Sequence, residues 1–109
     1  MNVAMLYDEQ SGHDALLEGV EIDARNNTLS INLFAYPTHD AAQRIPIKIE
    51  FSDLKSVAMQ ADMVRLAENR SAGTVNHWRI AEEPGTSYFY LIEGYLAVES
   101  GSVPKLIQA

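Results

Sequence analysis

Tyr88-Phe-Tyr-Leu-Ile-Glu-Gly-Tyr-Leu-Ala-Val-Glu99 holds two alternating apolar runs that meet at Glu93-Gly94, a pattern that specifies a β-hairpin. With Glu93 and Gly94 as the turn, Phe89 falls opposite Val98 and Leu91 opposite Leu96, so one face of the ribbon is wholly apolar. The other face carries Tyr88, Tyr90, Ile92 and Tyr95 beside Ala97 and Glu99. It is too apolar for a freely solvated surface and calls for a cover or a partner.

A second hairpin lies near the other end. Val20, Ile22 and Ala24 alternate with acids, Leu29, Ile31 and Leu33 alternate with Ser30 and Asn32, and Asn26-Asn27 sits between the runs. Asparagine tolerates the positive φ of a tight turn, which predicts Ile22 opposite Ile31 and Val20 opposite Leu33. Glu21 then faces Asn32 and Asp23 faces Ser30, giving a polar outer face.

Between the hairpins, residues 36–43 have no period and read as a loop. Ile45, Ile47, Ile49 and Phe51 form a third strand, with the donor-less Pro46 at a sheet edge or ahead of the paired region. Leu54 to Met59 reads as a strand continuing across a bulge, in preference to a short turn leading into a helix. Residues 60–70 are predicted to be the one helix, because Met59, Met63, Leu66 and Ala67 recur at helical spacing; Asp62 is its N-cap. Residues 73–82 form a further strand, and the opposed phases of Val75 and of Trp78 with Ile80 imply a bulge. Glu82-Glu-Pro-Gly85 is a turn by composition, and Val103, Leu106 and Ile107 anchor the tail on the body.

The resulting order, β-β-β-α-β-β-β, gives an α+β fold: a mainly antiparallel, strongly curved sheet, sandwich or partly open barrel with one helix. At 109 residues and 47% hydrophobic, the chain fits one domain over residues 1–109. The Met63 and Leu66 stripe is the natural cover for the tyrosine face. Cysteine is absent, which removes disulfides and thiolate chemistry. Met1 to Tyr7 is apolar, but Asp8 and Glu9 follow it without a basic leader, and no apolar run approaches the ~20 residues of a membrane span. A cytoplasmic protein with no membrane association is expected. A net charge of −7 disfavours phosphate backbones and hence nucleic-acid partners.

Chemistry-bearing residues are few. His13-Asp14 and His39-Asp40 pair an imidazole with a carboxylate, so a small-ligand or metal-dependent enzyme module using His13, His39 and Asp40 is the alternative reading; their spacing does not require convergence. His77 reads as a strand residue. Ser11 near His13 and Asp14 lacks the nucleophile elbow of a serine hydrolase, and phosphate-binding glycine loops are missing. No cofactor is implied. The carboxylates Glu18, Glu82, Glu83, Glu93 and Glu99 read as solvated turn and strand-end groups. The leading candidate site is therefore a partner-binding face of Tyr88, Tyr90, Tyr95 and Glu99, serving a protein partner or self-association as a homodimer.

The run His13 to Asp23, the strand Leu29-Ser-Ile-Asn-Leu33, Ile47-Lys-Ile-Glu-Phe51 and Ile92 to Val98 together resemble small bacterial β-rich domains of unknown function. Some of these are similar to immunity proteins of contact-dependent or polymorphic toxin systems. The resemblance implies a β-rich single domain without established catalytic residues, with His13-Asp14 as its most distinctive element; the acidic charge and the tyrosine face add the expectation of a binding module, an immunity-like inhibitor among its forms, for a more basic partner.

Overall fold

The computed structural model of the chain describes residues 14–36, 41–68 and 73–108. In chain order the elements are β1 (Leu16–Asp23), β2 (Thr28–Ala35), β3 (Ile45–Ser52), β4 (Leu54–Ala61), α1 (Met63–Glu68), β5 (Val75–Arg79), β6 (Gly85–Leu91), β7 (Gly94–Ser100) and β8 (Lys105–Gln108). They form two four-stranded antiparallel sheets, ordered β1-β2-β3-β8 and β4-β7-β6-β5.

The chain passes between the sheets at one corner, from β3 into β4 and back from β7 toward β8. Asp53, at φ 52°, is the single residue between β3 and β4, and it turns the chain from the first sheet into the second. Aspartate is among the few non-glycine residues that adopt this left-handed conformation readily. The return path bends beside it: Gly101 N donates to Asp53 O at 2.7 Å, and a Cβ on Gly101 would run into the Asp53 carboxylate. Asn27, itself at φ 58°, ties the β1–β2 loop to the corner by donating from Nδ2 to Leu54 O at 3.2 Å. At the far side β1 and β5 meet only briefly, through Asp14 N to Val75 O (2.9 Å) and Val75 N to Ala15 O (2.7 Å). The barrel is therefore not closed.

Strict alternation on β2 and β3 sends Leu29, Ile31, Leu33, Ile47, Ile49 and Phe51 inward, where each is almost fully buried. From the second sheet Trp78, Phe89, Leu96 and Val98 meet them. Phe89 stands edge-on to both Phe51 (centroids 6.3 Å) and Trp78 (6.0 Å), which joins the two sheets at the centre of the core. Each such side chain contributes about 1.5–3 kcal/mol by leaving water. The buried Ser87 hydroxyl accepts the backbone N–H of Ala81 at 3.0 Å, which holds the β5–β6 turn.

Several expectations are corrected. In the terminal hairpin Leu91 pairs with Gly94, Phe89 with Leu96 and Ser87 with Val98, so Ile92-Glu93 is the loop and Gly94 belongs to β7. Neither loop residue has positive φ; the chain takes up the turn geometry at Gly94, at φ 152°. That glycine also lets β7 approach β4, since a Cβ there would strike the Gln60 carbonyl. In the first hairpin Ile22 pairs with Leu29, Val20 with Ile31, Glu21 with Ser30 and Asp23 with Thr28. The loop is Ala24 to Asn27 because the Asp23 carboxylate accepts from Asn26 N (3.1 Å) and Asn26 Nδ2 (2.7 Å), so β1 ends at Asp23, two residues earlier than expected, while β2 still opens at Thr28. Both registers differ from expectation by two residues, which leaves every side chain on its expected face.

The helix is shorter than the 60–70 reading. Gln60 and Ala61 complete β4 against Tyr95 and Gly94, and α1 starts after Asp62, whose Oδ1 accepts Arg65 N at 3.1 Å as an N-cap. The tail forms an eighth strand that the alternation did not resolve, with Leu106 opposite Ile49. Pro46 sits beyond the end of β8, where β3 needs no donor on that side. The expected bulge in β5 is present between Val75 and His77. No helix among the described residues is long and apolar enough to cross a membrane.

Candidate functional site

The two sheets turn very different faces to solvent. On the first sheet the central outward positions of β2 and β3 are Ser30, Asn32, Lys48 and Glu50, with Phe34 beside Pro46 toward one end, and Lys48 pairs with Glu50 at 3.6 Å. On the second sheet the outward positions form an ordered array. Cross-strand pairing sets His77 beside Tyr90, Tyr90 beside Tyr95 and Tyr95 beside Gln60. The next row runs Arg79, Tyr88, Ala97, Ala58, and the third holds Thr86, Glu99 and Ser56.

Ring geometry gives the array a continuous aromatic surface. His77 stacks on Tyr90 with centroids 4.5 Å apart and planes at 24°, and Tyr88 lies parallel to Tyr90 within 11° at 6.0 Å. Tyr88, Tyr90 and the neighbouring Tyr95 remain 37%, 40% and 41% exposed. The expected helical cover is absent because α1 lies elsewhere. Leu66 and Met63 border Leu17, Val20 and Met59 in a groove of about 480 Å³ between β1 and β4. Six residues of helix placed over the β1–β4 gap cannot reach the outer face of β6.

The electrostatics of the face are nearly balanced. Arg79 lies on its β5 side and Glu99 on its β7 side, where Glu99 Oε1 accepts the Ser56 hydroxyl at 3.2 Å. At the rim Arg65 Nε meets Glu93 Oε2 at 2.8 Å, so the acid beside Tyr95 is neutralised. A face that is locally neutral on a chain of net charge −7 leaves the excess acid to other surfaces. Chemically the array offers flat π-surfaces, phenolic donors and small alanine hollows.

Tyr88, Tyr90, Tyr95 and Glu99, the sequence-derived partner face, are thus brought onto one surface. His13, His39 and Asp40 lie outside the described residues. Asp14 is described: it is exposed at φ 66°, and its carbonyl accepts Arg44 Nε at 2.9 Å, while the Arg44 guanidinium also sits 4.9 Å over the Tyr36 ring. No group of three metal-ligating side chains occurs among the described residues. His77, Arg79, Ala58 and Gln60 belong to the face but escaped the sequence reading. The β5 bulge hides the phase of His77 and Arg79, and Gln60 was assigned to a helix. No protein family, curated protein or solved structure matches the chain.

Proposed function

We propose that this chain is a non-catalytic protein-binding module whose working surface is the outer face of the second sheet, centred on Tyr88, Tyr90 and Tyr95. The observation that carries the proposal is the contrast between the two outer faces of one domain. The first is polar across its centre, with Ile107 exposed only on its edge strand β8; the second leaves three tyrosines more than one-third exposed in one contiguous patch on its two central strands. Tyrosine supplies large contact area with only two side-chain torsions to fix, which is why such rows concentrate binding energy. The balance of Arg79 against Glu99 and of Arg65 against Glu93 favours a partner surface that is itself mixed and aromatic. The inhibitor role implied by the resemblance is one member of this class.

Site-specific photo-cross-linking tests the proposal. A benzophenone side chain installed at Tyr90 is expected to capture a protein in cells of the source organism, while one at Ile22, 57% exposed on the first sheet, captures none. Equal labelling from the two positions would refute it.

A further inference from the structure

We infer that the occupant of the tyrosine face is a second copy of this chain, docked about a two-fold axis that runs along the strands between β6 and β7. The inference rests on the binding-face reading above and adds the identity of the partner.

A face-to-face two-fold contact with that axis exchanges β6 with β7 and β5 with β4, so each residue meets the counterpart of its own cross-strand neighbour. The row Arg79, Tyr88, Ala97, Ala58 carries two long side chains followed by two of the smallest. Rotated about its midpoint, it lays Tyr88 over Ala97 and Arg79 over Ala58 of the second copy, and the same fit repeats on the symmetric side. In the row His77, Tyr90, Tyr95, Gln60 the operation sets Tyr90 against Tyr95 of the second copy, aromatic on aromatic.

Charge follows the same symmetry. Arg79 is exposed, and its guanidinium is paired with no acid among the described residues. The axis carries Glu99 of the second copy to the β6 side, one strand and one row from Arg79. With strands about 4.8 Å apart and about 6.8 Å between same-face residues, the two positions lie roughly 8 Å apart in projection, within the reach of an arginine. Each cation thereby gains a carboxylate, twice per dimer. Large-to-small packing and opposite charge thus coincide under one operation, with no residue contributed from outside the chain.

Sedimentation velocity tests this from about 1 to 200 µM. The wild-type chain is expected to move from 12.1 kDa toward twice that mass as concentration rises. Ala97→Lys, which fills the hollow under Tyr88, is expected to stay monomeric throughout. Because that variant could perturb its own sheet, the exposed pair gives an independent arm. Arg79→Glu and Glu99→Arg should each weaken association roughly tenfold, and the double reversal should restore it to within about threefold. A wild-type chain that remains at 12.1 kDa to the highest concentration overturns the inference, as does a dimer whose affinity the double reversal does not restore. Capture of a different protein from position 90 would likewise remove the second copy as occupant while leaving the binding-face reading standing.

Discussion

Replacing Gly94 by alanine should destabilise the domain by about 2–3 kcal/mol, and the figure follows from two features of one residue. Its φ of 152° lies where side chains are rarely tolerated, a strain of order 2 kcal/mol for alanine. The new Cβ would also strike the Gln60 carbonyl and crowd Ala61 Cα at 3.1 Å, so β7 must draw back from β4 at the Ala61–Gly94 pair. Losing one ladder hydrogen bond there costs about 1 kcal/mol, and the reduced entropy of the unfolded alanine chain returns about 0.7 kcal/mol. For a domain of this size that corresponds to a fall in Tm of roughly 8–12 °C.

Gly19 supplies the control. It has no positive φ, and nothing lies within 4 Å of an added Cβ, so Gly19→Ala should leave stability within about 0.5 kcal/mol of wild type or raise it slightly. Urea titration followed by circular dichroism measures both variants. Equal stability of Gly94→Ala and Gly19→Ala would refute the reasoning, because it would mean that Gly94 sits in an open turn rather than in the ladder beside Gln60.

Trp78→Ala should cost about 3–5 kcal/mol in the same assay, since the indole is fully buried against Phe89 and joins the sheets. Ser87→Ala should cost about 1–3 kcal/mol by leaving the Ala81 N–H without its acceptor, whereas Ser102→Ala should be near neutral, because the half-buried Ser102 accepts the Ser100 hydroxyl through its backbone carbonyl. Arg65→Ala should change stability by less than about 1 kcal/mol despite its 2.8 Å pair with Glu93, because both groups are well solvated. The Asn26 hydrogen bonds hold the Asp23 carboxyl below its ordinary value of 3.8. Its contribution to stability is therefore present above that value and is lost as pH falls through the lower folded-state pKa. Carbon-detected NMR should place the Asp23 titration midpoint below 3.8, and Asn26→Ala should move it upward.

Much of the fold was legible because alternation fixes faces. The inward set of β2, β3, β6 and β7 can be read directly from period-two patterning, and the bulge in β5 announced itself through the clash of phase between Val75 and Trp78. Register was harder. A shift of two residues preserves every face, so the apolar pattern cannot distinguish Leu91 opposite Leu96 from Leu91 opposite Gly94. In the terminal hairpin a tertiary contact decides it, the approach of Gly94 to Gln60; in the first hairpin it is the local hold of the Asp23 carboxylate on Asn26.

The helix was overextended for a related reason. Gln60 and Ala61 are good helix formers, but pairing with Tyr95 and Gly94 satisfies their backbone in the sheet, and tertiary hydrogen bonds outweigh a propensity worth tenths of a kcal/mol. That displacement exposes the site. The tyrosines were visible in sequence, but their freedom from the helix was not, because it depends on the bend at Asp53 and on where α1 comes to rest. Arg79 and Ala58 joined the row of Tyr88 and Ala97, at its two ends, only once β4 was placed beside β7 and β5 beside β6.

Hydroxyl-radical footprinting of the tyrosines at low and high protein concentration tests the central claim most directly. At about 1 µM the rings of Tyr88, Tyr90 and Tyr95 should react freely, and at about 200 µM their modification should fall several-fold while Ile22 and Met63 react unchanged. Modification of the three tyrosines that is the same at both concentrations would contradict self-association through this face.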